Sequence, residues 1–72
     1  MSEQTSMSLG EALPAEMARV RDVVLPEYLA IPTGVFAAIM MCADLDAAAK
    51  ALAEGDVVEM IRAYEKLKGW KL

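Results

Sequence analysis

This chain contains no histidine and only one cysteine, Cys42. Without histidine it lacks the commonest general base and metal ligand, and with it any Ser-His or Cys-His nucleophile. A single thiol cannot close a disulfide within the chain, nor can it supply a zinc site built from several Cys or His ligands. Cys42 lies in an apolar helical run, where a buried and inert thiol is expected. The carboxylates do not make good the deficit. Asp44 and Asp46 are two residues apart on a helix and point to different sides. Glu11 with Glu16, and Asp56 with Glu59, are explained by capping and solvation, and Asp44 reads as a rim position in water. A glycine-rich phosphate loop is also missing. The expectation is a chain that is not an enzyme and that carries no cofactor and no metal.

Positive charge is scarce too. The net charge is −4, carried by residues 1–54, while 55–72 is slightly basic. Phosphate contacts supply most of the affinity for nucleic acid, so an acidic chain without a basic face is expected to bind none. The longest strongly apolar run, Val35 to Ala43, falls far short of the roughly 20 residues of a membrane span. The N-terminus has no basic segment followed by an apolar core, so no secretory signal is read there. The chain reads as cytoplasmic, with no membrane association.

Apolar residues are abundant, at 57% of 72 residues. A chain of this length holds one domain at most, near the size at which a single core is only marginally sufficient. Residues 1–7 are polar and without periodicity, a tail expected to be disordered, and residues 8–72 form the domain. A short chain with more apolar surface than it can bury finds a partner, most cheaply a second copy of itself.

The organising element is a helical hairpin from Thr33 to Leu67. Gly55 can take the left-handed conformation that ends a helix. Asp56 follows as an N-cap, with Glu59 at capping-box spacing. Val57, Met60, Ile61, Tyr64 and Leu67 then form a stripe down the second arm. In the first arm Ala38, Met41, Leu45, Ala48 and Leu52 face the second. On the opposite face Asp46, Lys50 and Glu54 are solvated in the C-terminal half. In the N-terminal half the same face carries Phe36, Ile39, Met40 and Ala43, which makes that half apolar all round. These four residues are expected to meet either the first helix or a second subunit, and they are the candidate interface.

Ahead of the hairpin, Ser8 and Glu11 have capping-box spacing, but Pro14 is expected to interrupt a helix begun there and to restart it. Leu13, Met17, Val20, Val24, Tyr28 and Ile31 keep one stripe across Pro26, which reads as one helix kinked at that proline. Pro32-Thr33-Gly34 ends it, and Thr33 is the expected N-cap of the next. The fold class is therefore all-α, three helices over about 14–31, 34–54 and 56–68. In the tail from Lys66 to Leu72, Trp70 is expected to fold back on the bundle and the lysines to stay in water. A contact of this basic tail with an acidic partner or RNA is the competing use.

Residues 54–66, Glu-Gly-Asp-Val-Val-Glu-Met-Ile-Arg-Ala-Tyr-Glu-Lys, resemble the turn and second helix of a tetratricopeptide repeat. The departure is Met60, where that family places a small residue. The match covers less than one repeat and no second copy follows, so the resemblance implies an antiparallel hairpin more than a peptide-binding stack. Ser8-Leu9-Gly10-Glu11-Ala12-Leu13-Pro14 and Ile31-Pro32-Thr33-Gly34 look like stretches of small uncharacterised bacterial or prophage proteins. Three roles are expected in order: a non-enzymatic protein–protein interaction module, homo-oligomeric and most simply a dimer; a small phage-type inhibitor or adaptor of a host protein, suggested by the acidic and catalytically bare chain; and a carrier of an apolar small ligand between Phe36, Met40 and Met41.

Overall fold

The computed structural model of the chain describes residues 8–72, and the tail expected over 1–7 lies outside them. The first helix, α1, spans Leu9–Arg19 and so begins well before residue 14. Its start is the capping box. Glu11 Oε1 accepts from the Ser8 N–H at 3.3 Å and from the Ser8 hydroxyl at 3.1 Å. The Ser8 side chain faces the Glu11 N–H, and the backbone turn closes with Glu11 N–H donating to the Ser8 carbonyl at 3.0 Å. Pro14 is inside the helix rather than at its start. It forfeits one hydrogen bond, to the carbonyl of Gly10, but Gly10 is exposed and water can take that acceptor.

Pro26 is accommodated differently. Ahead of it, Val20–Val24 forms a π-helical turn, in which the Leu25 N–H reaches back to the Val20 carbonyl. Helix α2, Leu25–Leu29, follows with Pro26 in its first turn. Proline has no N–H for the carbonyl four residues back, and its ring collides with that carbonyl. The wider turn relieves the collision by lengthening the loop of chain between bonded groups. α1, the π turn and α2 are continuous, so the first helical body runs as one element through Pro26, but it ends at Leu29. Ile31 is already extended.

The connection into the hairpin is a 3-10 turn, Pro32–Gly34. Thr33 does not cap the next helix. Helix α3, Val35–Glu54, takes Gly34 as its N-cap residue, with no side-chain bond. Gly34 is buried, and a Cβ built on it would overlap the backbone carbonyl of Tyr28. The turn is therefore closed by backbone against backbone, which leaves no room for a capping side chain to define the corner.

At the far end of α3 the expected turn is found. Gly55 is left-handed, with φ 67°. Asp56 N–H bonds to Ala51 O at 3.1 Å and Gly55 N–H to Leu52 O at 3.2 Å, the paired closure of a Schellman motif. Asp56 Oδ1 then accepts from the Glu59 N–H at 3.2 Å and starts α4, Val57–Lys68. α3 and α4 pack along each other, and α1 lies mainly against α4.

The core combines Leu13, Val20 and Val24 with Met41, Ala48 and Ala51 of α3, and with Met60, Ala63 and Leu67 of α4. The α4 stripe differs from the expected one. Val57 and Ile61 are 60% and 50% exposed, and Ala63 is buried in their place. The reason is the alanine content of the contact. Ala48, Ala51 and Ala63, with no side chain beyond Cβ, occupy the buried positions of the contact, and the larger side chains of the flanks are left outside. The three rods make a thin body, with extents of 45 × 26 × 15 Å. Its radius of gyration, 13.1 Å, exceeds the roughly 11 Å of a compact domain this long.

Candidate interaction surface

One consequence of that thin body is that α3 is covered on one side only. Ala38, Met41, Ala48 and Ala51 are buried. Phe36, Ile39 and Met40, on the opposite face, are 73%, 60% and 48% exposed, and Ala43 is exposed with them. The first helical body therefore does not cover the four residues that the sequence singled out. Val35, four residues before Ile39 and 52% exposed, lies on the same face and extends it. Its position in that i, i+4 register was readable in the sequence. No charged residue interrupts 35–43.

Cys42 is exposed, contrary to the expected burial. It follows the fully buried Met41 by one residue, and one residue on a helix rotates the side chain by about 100°, out of the core and onto the flank. Met41 itself points away from Phe36 and Met40. The three do not line a common cavity, although together they had suggested a ligand site. Two depressions among the described residues lie elsewhere. One, of about 280 Å³, is lined by Ala47, Lys50, Ala51, Glu54 and Glu59. The other, of about 320 Å³, is lined by Glu27, Tyr28, Ile31 and Leu72.

At the end of the bundle near the candidate face, the C-terminal segment is strapped down. Trp70 Nε1–H donates to Asp44 Oδ2 at 2.8 Å, and the Trp70 ring meets Tyr28 edge to face with centroids 6.1 Å apart. Tyr28 OH donates to Lys71 O at 2.9 Å. Arg19 donates to Leu67 O at 3.1 Å and Trp70 O at 2.9 Å, so its cation sits where the last carbonyls of α4 concentrate negative charge. Glu16 holds the same guanidinium at 2.9 Å and raises its pKa above the ordinary value. Trp70 thus folds back as expected. Asp44 serves as its anchor, a half-buried acceptor rather than a rim carboxylate in water.

This bond has a measurable consequence. Asp44→Ala leaves the half-buried indole N–H without its charged acceptor, at an expected cost of about 1–2 kcal/mol. Trp70 is the only tryptophan, so its fluorescence reports the change directly. The emission maximum is expected to move to the red while helical circular dichroism is retained. An unshifted maximum would mean that the Tyr28 packing and the Arg19 and Tyr28 hydrogen bonds hold the segment without Asp44.

A second set of exposed apolar residues, Val57, Val58 and Ile61, begins α4. Because α3 and α4 run in opposite directions from the Gly55 turn, this set lies at the end of the hairpin away from Phe36. No helix among the described residues is long and apolar enough to cross a membrane. Compared with known proteins, the chain matches no family model, no curated protein and no solved structure.

Proposed function

We propose that this chain is a non-enzymatic protein–protein interaction module that works as a homodimer through the N-terminal half of α3. The observation that carries the reading is the exposure of Phe36 and Ile39, 73% and 60%, at the centre of an uncharged helix face. Covering what Phe36, Ile39 and Met40 still expose is worth about 3–5 kcal/mol per copy, taking 1.5–3 kcal/mol for full burial of each side chain. A two-fold contact uses the patch twice and recovers about 6–10 kcal/mol. Association costs roughly 4–15 kcal/mol in lost freedom. The gain exceeds this cost only toward the lower end of that range, so Val35 and Ala43 at the edges decide the balance. A net gain of about 6 kcal/mol at most from the three larger side chains corresponds to a dissociation constant of roughly tens of micromolar or weaker.

Backbone resonances followed by nuclear magnetic resonance through a dilution series test which face is used. Concentration-dependent shifts are expected at Val35, Phe36, Ile39, Met40 and Ala43. Shifts centred on Val57, Val58 and Ile61 would move the interface to α4 and refute the assignment.

A further inference from the structure

The geometry points to a second copy bound antiparallel, with the two α3 helices crossing near Ile39 and Met40 and each Phe36 lying against the partner's Ala43. This inference rests on the homodimer reading above and adds its orientation.

Three features of α3 carry it. The first is where the apolar residues stop. Residues 35–43 take up about 12 Å at one end of a helix about 30 Å long, and the same face then continues with Asp46, Lys50 and Glu54. In a parallel pair each of these charges faces its own copy, like against like over the whole C-terminal half. Such contacts oppose association. In an antiparallel pair overlapping only at the apolar end, the two charged halves extend in opposite directions into water.

The second feature is size. With the crossing midway between Ile39 and Met40, Phe36 falls opposite the partner's Ala43, and Ile39 opposite the partner's Met40. The bulkiest side chain meets the smallest, twice, which is how facing helices interdigitate without a void. A parallel pair sets Phe36 against its copy and Ala43 against its copy, leaving a clash at one end and a gap at the other. The third feature is clearance. Beside this face the buried residues of α3 are Ala38 and Met41, on its opposite side, and Phe36, Ile39 and Met40 stand exposed, so none of the described elements blocks a helix from lying along it.

The test uses the full chain with Cys42→Ser and Lys50→Cys, a nitroxide attached at position 50, and double electron–electron resonance. Lys50 is exposed and outside the proposed overlap, so the label leaves the contact intact. Antiparallel pairing places the two labels roughly 30–40 Å apart, at about 1.5 Å of rise for each residue between them. Parallel pairing brings them within roughly 20 Å, near the 8–10 Å between packed helix axes. A second measurement reads the crossing point. In the Cys42→Ser background, Ile39→Cys is expected to form an intermolecular disulfide on mild oxidation. Phe36→Cys is not, because its copies lie about 10 Å apart along the axis, beyond the reach of roughly 7 Å between Cα atoms. Labels within 20 Å in a protein that sediments as a dimer overturn the orientation and leave the dimer standing. An absence of dipolar coupling in a protein that sediments as a monomer overturns both.

Discussion

Gly34→Ala is expected to lower the melting temperature by roughly 10–20 °C, which corresponds to a loss of about 2–3 kcal/mol in a domain this small. The backbone at Gly34 is not left-handed, with φ −88° and ψ −4°, so conformational freedom is not what requires glycine. Space is. The added Cβ would overlap the Tyr28 carbonyl, an atom of the backbone that cannot swing aside as a side-chain tip can. Relief has to come from separating α2 from the start of α3. That movement also disturbs Tyr28, which carries both the Trp70 contact and the bond to Lys71 O. Thermal unfolding followed by circular dichroism measures the effect. A fall of less than about 3 °C would mean that the corner yields easily and that its close approach contributes little.

Ile39→Glu is expected to weaken self-association at least 100-fold without unfolding the protein. Ile39 is 60% exposed, so in a single copy the carboxylate stands in water and costs the fold little. In the antiparallel pair it lies close to the two-fold axis, where two carboxylates meet in an apolar contact. Burying unpaired charge there costs several kcal/mol. Val58→Glu is the control, a change of the same kind at a position 58% exposed near the other end of the hairpin. It should leave association unchanged. Equal loss in both variants would show that overall acidity, not the α3 face, governs the effect.

What the sequence revealed of this fold depended on how local each determinant was. The Gly55-Asp56 turn was legible because its chemistry is complete within nine residues, from the Ala51 carbonyl to the Glu59 N–H. The need for a second cover on the N-terminal half of α3 was legible for a related reason, since a helix stretch with no charged side chain on any face asks for one, but whether the first helix supplies it was not. Where several local preferences competed, the reading failed in detail. Ser8 and Glu11 outweighed Pro14 and began the helix early, and Pro26 was absorbed by a π turn of the residues before it. The α4 stripe departs from its expected course at Val57 and Ile61 because size is not the sign of burial there, and Ala63 is buried while both larger residues are exposed. Cys42 departs likewise, since its apolar neighbours do not set its own direction. Trp70 and Asp44 are separated by 26 positions, and no local pattern joins them. Gly34 belongs with them, since its requirement is set by a carbonyl six residues earlier that only the folded corner brings near.

In the proposed dimer the N-terminal half of α3, covered on one face in a single copy, is covered on both, while the charged C-terminal half stays in water. Sedimentation equilibrium of the full chain, from about 1 to 500 micromolar, tests it most directly. The account predicts a concentration-dependent shift from one mass to twice that mass, with a midpoint of roughly tens to hundreds of micromolar. A single species at 7.8 kDa across the whole range would contradict it, and the Phe36–Ala43 face would then be exposed in the protein's resting state.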